Sequence, residues 1–60
     1  MNLSDWVGEL QYVKRTAQEK DFALFNRDSA CFLRYVELQA DTANRQGFTE
    51  IAEEIRKVTV

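Results

Sequence analysis

The chain has no proline, no histidine, two glycines and one cysteine among its 60 residues. Proline and glycine are the residues that most often interrupt helices, so their scarcity leaves few places where a helix must end. One cysteine cannot form an internal disulfide, and one cysteine without histidine lacks the ligands of a zinc site. We therefore expect a fold without a covalent or metal cross-link, and we expect no cofactor.

The length of 60 residues suits a single domain, which we expect to cover residues 1–60. A chain of this size buries only about 60% of the surface that its unfolded form exposes. A single core in a chain below ~70–80 residues rarely supplies more than ~3–5 kcal/mol, and natural chains of this size often add a partner subunit. Because a disulfide and a metal are excluded, we expect association with a second copy or another protein.

The charge is mildly acidic, with ten Asp and Glu against eight Lys and Arg, a net charge of −2. Binding to DNA or to an anionic membrane needs a basic surface, so this balance disfavours both. No stretch approaches the ~18 apolar residues that a membrane helix needs. Residues 1–5 carry neither a basic start nor an apolar run. Together with the single cysteine, this favours a reducing, cytoplasmic setting.

Apolar residues recur every three or four positions along the chain, which is the period of an α-helix with one buried face. We expect a first helix over about residues 4–25, with Ser4 as its N-cap. Its apolar stripe is formed by Leu3, Trp6, Val7, Leu10, Val13, Ala17, Leu24 and Phe25.

The first break in the helical pattern is predicted at residues 26–28. Asn26 tolerates the left-handed conformation that ends helices, and Asp28 or Ser29 can cap the helix that follows. A turn near residues 20–21 is an alternative, and it would leave a longer second helix. A third possibility is one unbroken rod over residues 4–46, but its seam would contain too many polar residues for a stable coiled coil.

The second helix, about residues 29–46, has two apolar faces. The first face consists of Phe32, Leu33, Val36, Ala40 and Ala43. The second consists of Cys31, Tyr35, Leu38 and Thr42. Because a helix with two apolar faces must be covered on two sides, the first helix is expected to cover only one of them.

A short third helix is expected over about residues 49–58, with Thr49 as its N-cap. Gly47 is expected to end the second helix with a positive φ, and Phe48 to seal that end by a hydrophobic contact. The predicted fold class is therefore all-α. It is a helical hairpin with a third helix folded over it, and we expect it to assemble as a dimeric helical bundle.

The sequence shows no catalytic constellation, since histidine is absent, no Gly-rich phosphate loop occurs, and the serines Ser4 and Ser29 read as helix caps. We expect a small non-enzymatic protein-binding or regulatory factor that acts through an apolar helical face as a homodimer. Cys31 lies on an apolar helix face, where core packing is the simpler interpretation. The candidate interface residues are Tyr12, Phe22, Cys31, Tyr35 and Leu38. If the third helix covers the second face, Tyr35 and Leu38 belong to the core instead.

Two other functions remain open. A nucleic-acid-binding regulator would need its basic residues to be gathered by dimerisation, and a structural assembly subunit would form a fixed oligomer. The candidate basic residues are Lys14, Arg15, Lys20, Arg27 and Arg34.

Overall fold

A computed structural model describes residues 2–60 of the chain. These residues form three α-helices, α1 (Leu3–Glu19), α2 (Ser29–Arg45) and α3 (Thr49–Lys57), together with one 3-10 turn (Ala23–Phe25), and no strand. The all-α prediction is confirmed. None of the helices within residues 2–60 has both the length and the apolar character needed to cross a bilayer.

The N-cap of α1 is Asn2 and not Ser4, so the predicted cap is wrong. The side-chain oxygen of Asn2 accepts the backbone N–H of Asp5 at 3.0 Å, and the carboxylate of Asp5 accepts the backbone N–H of Asn2 at 3.2 Å. Asn is as good an N-cap as Ser, and the acidic residue three positions later completes a capping box. This reciprocal pair satisfies two free donors, whereas Ser4 lies inside the first turn.

The helix α1 ends at Glu19, earlier than the predicted residue 25, and both the longer helix and the unbroken rod are wrong. Lys20 adopts the left-handed conformation with φ 52°, and the N–H of Asp21 donates to the carbonyl of Thr16 at 3.3 Å. The alternative turn near residues 20–21 is therefore confirmed, but the longer second helix that it implied is wrong, because α2 begins only at Ser29. This early end lets two aromatic rings, Phe22 and Phe25, pack on Phe32 at centroid distances of 5.2 and 5.4 Å.

A second break lies at residues 26–28, where the sequence also predicts a turn. Asn26 and Arg27 both have a φ of 56°. The carboxylate of Asp28 accepts the N–H of Ala30 at 2.9 Å and caps α2. The start of α2 at Ser29 is confirmed. The region between α1 and α2 thus has both predicted breaks, and the 3-10 turn lies between them.

The corner between α2 and α3 is a Schellman turn. Gly47 has a φ of 92°, as predicted, and its N–H donates to the carbonyl of Asn44 at 3.1 Å. The N–H of Phe48 donates to the carbonyl of Ala43 at 3.0 Å, and its ring packs against the core. Phe48 also holds the N-cap position of α3, so the prediction of Thr49 as N-cap is wrong by one residue.

All three helices contribute to one hydrophobic core. Backbone contacts are most extensive between α2 and α3, and α1 also lies against α3. The predicted hairpin partners, α1 and α2, meet mainly through side chains. Alanines on α2 and α3 allow the contact between these two helices because their side chains are small. The indole Nε1 of Trp6 donates to Oε1 of Gln46 at 3.0 Å, which joins the start of α1 to the end of α2. The buried apolar residues are Trp6, Val13, Phe32, Val36, Ala40, Ala43, Ile51, Ala52 and Ile55.

Three residues of the predicted first stripe lie on the surface instead: Leu3, Val7 and Leu24 are 56%, 40% and 83% exposed. Leu24 is exposed because the neighbouring rings of Phe22 and Phe25 take the inward side of the 3-10 turn. The nine residues of α3 span about 14 Å, which is roughly half the length of α1. The helix α3 can therefore cover only part of the apolar face of α1.

The two glycines provide a matched test of the backbone. A Cβ added at either glycine meets no atom within 4 Å, but Gly8 lies inside α1 whereas Gly47 has φ 92°. We expect Gly8→Ala to raise the free energy of unfolding by about 0.5–1 kcal/mol. Gly47→Ala should lower it by about 1–2 kcal/mol, because alanine is strained at positive φ. Urea unfolding followed by circular dichroism measures both changes, and equal stabilisation by both variants would contradict the left-handed corner.

Candidate functional site

An open apolar groove runs along α2, on the side that faces away from α3. We call it the α2 groove. It opens towards solvent and is lined by Phe25, Cys31, Arg34, Tyr35, Glu37, Leu38 and Asp41.

The helical period gives the α2 groove two different edges. At about 100° per residue, Cys31 and Tyr35 lie on one side of Leu38, and Arg34 and Asp41 lie on the other. The first edge is apolar and is extended by Phe25 from the 3-10 turn. The second edge is charged. Leu38 lies between them and is 60% exposed.

Tyr35 is held in place by α1 and by the 3-10 turn. Its ring makes an edge-to-face contact with Tyr12 at a centroid distance of 6.3 Å and a tilted contact with Phe25 at 5.1 Å. Its hydroxyl donates a hydrogen bond to Oε1 of Glu9. The second face of α2 is therefore partly covered by its own chain, at Tyr35, and remains open at Leu38.

Burial raises the pKa of the Tyr35 hydroxyl above its ordinary value. The hydrogen bond to Glu9, the negative charge of Glu9 and the nearby Tyr12 raise this pKa further, in that order. The hydroxyl therefore stays protonated well above neutral pH and remains a hydrogen-bond donor to Glu9.

The other polar side chains around the groove also make local contacts. The thiol of Cys31, which is half-buried, donates to Oδ2 of Asp28 at 3.7 Å. On the charged edge, Arg45 pairs with Asp41 at 2.7 Å, one helical turn apart. The side chain of Asp41 is still 44% exposed, so it can accept a further hydrogen bond from outside the chain.

The structure brings three of the five predicted interface residues, Cys31, Tyr35 and Leu38, into one groove. Tyr12 lies beside them on α1, 36% exposed and in contact with Tyr35. Phe22 packs against Phe32 instead of along the groove.

The sequence did not predict that Glu9 and Phe25 contact Tyr35, or that the groove has a charged edge. Phe25 and Glu9 reach Tyr35 only through the tertiary fold, so no local signal could have shown them. The charged edge did have a signal. The 4-3-4 spacing of residues 31, 35, 38 and 42 is that of a heptad, and a heptad places residues 34 and 41 at its flank.

The five candidate basic residues are all exposed and are spread over α1, both turns and α2. Lys14 lines a cleft between α1 and α3 that also contains Glu54 and Lys57. Arg34 lies in the α2 groove near Glu37 and Asp41. These two basic side chains thus have acidic neighbours within a single copy of the chain.

Within residues 2–60, no three side chains of His, Cys, Asp or Glu form a cluster that could hold a metal ion. Comparisons of the chain with protein-family models, with curated proteins and with solved structures give no match. What the α2 groove can do is therefore inferred from its own side chains.

The raised pKa of Tyr35 predicts how stability depends on pH. The unfolded chain ionises this tyrosine near pH ~10, whereas the folded chain resists ionisation. Its contribution is therefore complete below pH ~10 and is lost as the pH rises above that value. We expect urea unfolding of the native chain to show this loss, and Tyr35→Phe to show a smaller one.

The contribution of Glu9 to the raised pKa of Tyr35 can be measured in a variant that retains only this tyrosine. In Tyr12→Phe, the ultraviolet absorbance of tyrosinate reports Tyr35 alone, because the chain has two tyrosines. Adding Glu9→Gln removes the negative charge beside the hydroxyl and should lower the midpoint of this titration. An unchanged midpoint would contradict the contribution of Glu9.

Proposed function

We propose that this chain is a small non-enzymatic protein-binding factor that acts as a homodimer and binds through the α2 groove. The observation that supports this proposal is the combination of an exposed Leu38 with an apolar edge formed by Phe25, Cys31 and Tyr35. Exposed apolar surface that is bordered by polar residues is typical of a protein interaction site. Tyr35 is already ordered by its own chain, so binding would not need to order it.

The size of the chain supports a second copy as the occupant. A domain of about 60 residues has a marginal core, and burial of apolar surface between subunits is one of the few remaining ways to stabilise it. Burying the exposed part of Leu38, which is 60% of its surface, contributes about 1–2 kcal/mol. In a two-fold dimer each copy would bury the same residue, so this contribution would be made twice.

The charges of the groove also suit a second copy. A two-fold interface brings the same surface of both subunits together, so a surface with one sign of charge would repel itself. The exposed side of α2 carries equal numbers of both signs, Arg34 and Arg45 against Glu37 and Asp41. This balance allows two copies to approach.

The polar groups around the groove favour binding over catalysis as the function of this surface. The thiol of Cys31 bonds to Asp28, the hydroxyl of Tyr35 to Glu9, and the carboxylate of Asp41 to Arg45. Each contact orients a side chain of the surface.

This arrangement fits a regulatory protein in a reducing, cytoplasmic compartment, because Cys31 would remain a thiol there.

The dimer can be tested with a matched pair of leucines on α2. Leu38 lies in the groove, whereas Leu33 is 47% exposed about 140° away around the same helix. Leu38→Ala should remove about 1–2 kcal/mol of apolar burial from each copy and raise the dimer dissociation constant at least ~10-fold. Leu33→Ala should leave it unchanged. Sedimentation equilibrium over a range of concentrations measures both constants.

Other results would contradict the proposal. A native chain that stays monomeric at all concentrations, or equal weakening by both leucine variants, would remove the α2 groove as the dimer surface. A larger oligomer whose mass does not change on dilution would favour a structural assembly subunit. A gel shift with duplex DNA that weakens steeply with salt would favour nucleic-acid binding.

A further inference from the structure

We propose that the two α2 helices of the dimer pair in antiparallel orientation, so that Arg34 of each copy faces Asp41 of the other. This inference rests on the proposed homodimer and adds the orientation, the register and the contacts that select them. The observation that carries it is the order of residues around the exposed side of α2.

The central seam is short and has heptad spacing. Cys31, Tyr35, Leu38 and Thr42 follow one another at intervals of four, three and four residues, as the a and d positions of a coiled coil do. Leu38 is 60% exposed, and Cys31 and Tyr35 line the open groove. In an antiparallel pair each a position meets a d position of the other helix. Tyr35 would then contact Leu38 of the second copy, and Cys31 would contact its Thr42.

The flanking residues select this orientation. Arg34 and Asp41 each precede an a position, so both belong to the same flank of the seam. In an antiparallel pair, this flank of one helix lies against the same flank of the other helix. Arg34 of each copy can then form an ion pair with Asp41 of the other copy, which gives two ion pairs in each dimer. In a parallel pair, this flank would lie against the other flank of the second helix, which carries Gln39 and Gln46. Arg34 and Asp41 would then face uncharged glutamines and form no ion pair between the copies.

Asp41 is able to take part in this contact. Its carboxylate pairs with Arg45 of its own helix through Oδ2, yet the side chain is 44% exposed. A carboxylate has four lone-pair positions and can accept two guanidinium groups at once. The intrahelical pair holds Asp41 in place for the second arginine.

The antiparallel register makes a geometric prediction about Cys31. Residues 31 and 42 are eleven positions apart, or about 16 Å along the helix at 1.5 Å per residue. The two Cys31 residues of the dimer would be separated by about the same distance, whereas a disulfide needs Cα atoms within ~7 Å. Cys31 of one copy would lie opposite residue 42 of the other.

Oxidative cross-linking of three chains tests the orientation. Thr42→Cys in the native background should form a covalent dimer through two disulfides between Cys31 and position 42. Neither the native chain nor the double variant Cys31→Ser/Thr42→Cys should cross-link. A disulfide within one Thr42→Cys chain is excluded because the two positions are ~16 Å apart on one helix.

The outcomes separate this inference from the proposed function. Cross-linking of all three chains would show a parallel dimer and overturn the antiparallel pairing. Cross-linking of none, with a dimer still present in sedimentation, would also overturn it but leave the homodimer standing. A monomer in sedimentation would overturn both.

Charge reversal gives a second, independent readout. Arg34→Asp and Asp41→Arg should each weaken the dimer at least ~5-fold, because each places like charges together twice. The double variant Arg34→Asp/Asp41→Arg should return the dissociation constant close to the native value. Glu53→Arg, the same kind of charge change at an exposed position of α3, is the control and should have little effect. Failure of the double variant to recover, with its helix content intact, would overturn the Arg34–Asp41 contact.

Discussion

The structure depends on the burial of one apolar stripe of α2, formed by Phe32, Val36, Ala40 and Ala43. This stripe is where α3 packs most closely, and α1 completes the same core through Trp6 and Val13. An isolated helix of the nine residues of α3 would be marginal in water, so α3 is held by this contact.

The same stripe determines how the chain turns between α1 and α2. Phe32 is buried near the start of α2, and covering it requires the rings of Phe22 and Phe25. The end of α1 at Glu19 releases this segment from the helix, and both rings then pack on Phe32. The chain therefore accepts three non-glycine residues at positive φ, Lys20, Asn26 and Arg27. Packing of aromatic rings offsets this strain.

The α2 groove is a consequence of how few elements the chain has. With α3 on the first face of α2, only α1 and the 3-10 turn remain to cover the second, and they reach Tyr35 but not Leu38. The ordered tyrosine then lies beside an exposed leucine and a charged edge. The proposed dimer and its antiparallel pairing both start from this juxtaposition, because a second copy would supply the cover that a fourth helix would otherwise provide.

The local sequence determined the three helices, the start of α2 at Ser29 and the left-handed corner at Gly47, because apolar period, capping chemistry and glycine freedom act within a few residues. It favoured a break at residues 26–28, with a turn near residues 20–21 as the alternative, and it left open whether the third helix covers the second face of α2. Tertiary structure decided that both breaks occur, that Leu3, Val7 and Leu24 stay exposed, and that Glu9 and Phe25 reach Tyr35. These outcomes depend on which surfaces meet across the core, and residues far apart in the chain carry no local pattern that encodes such contacts.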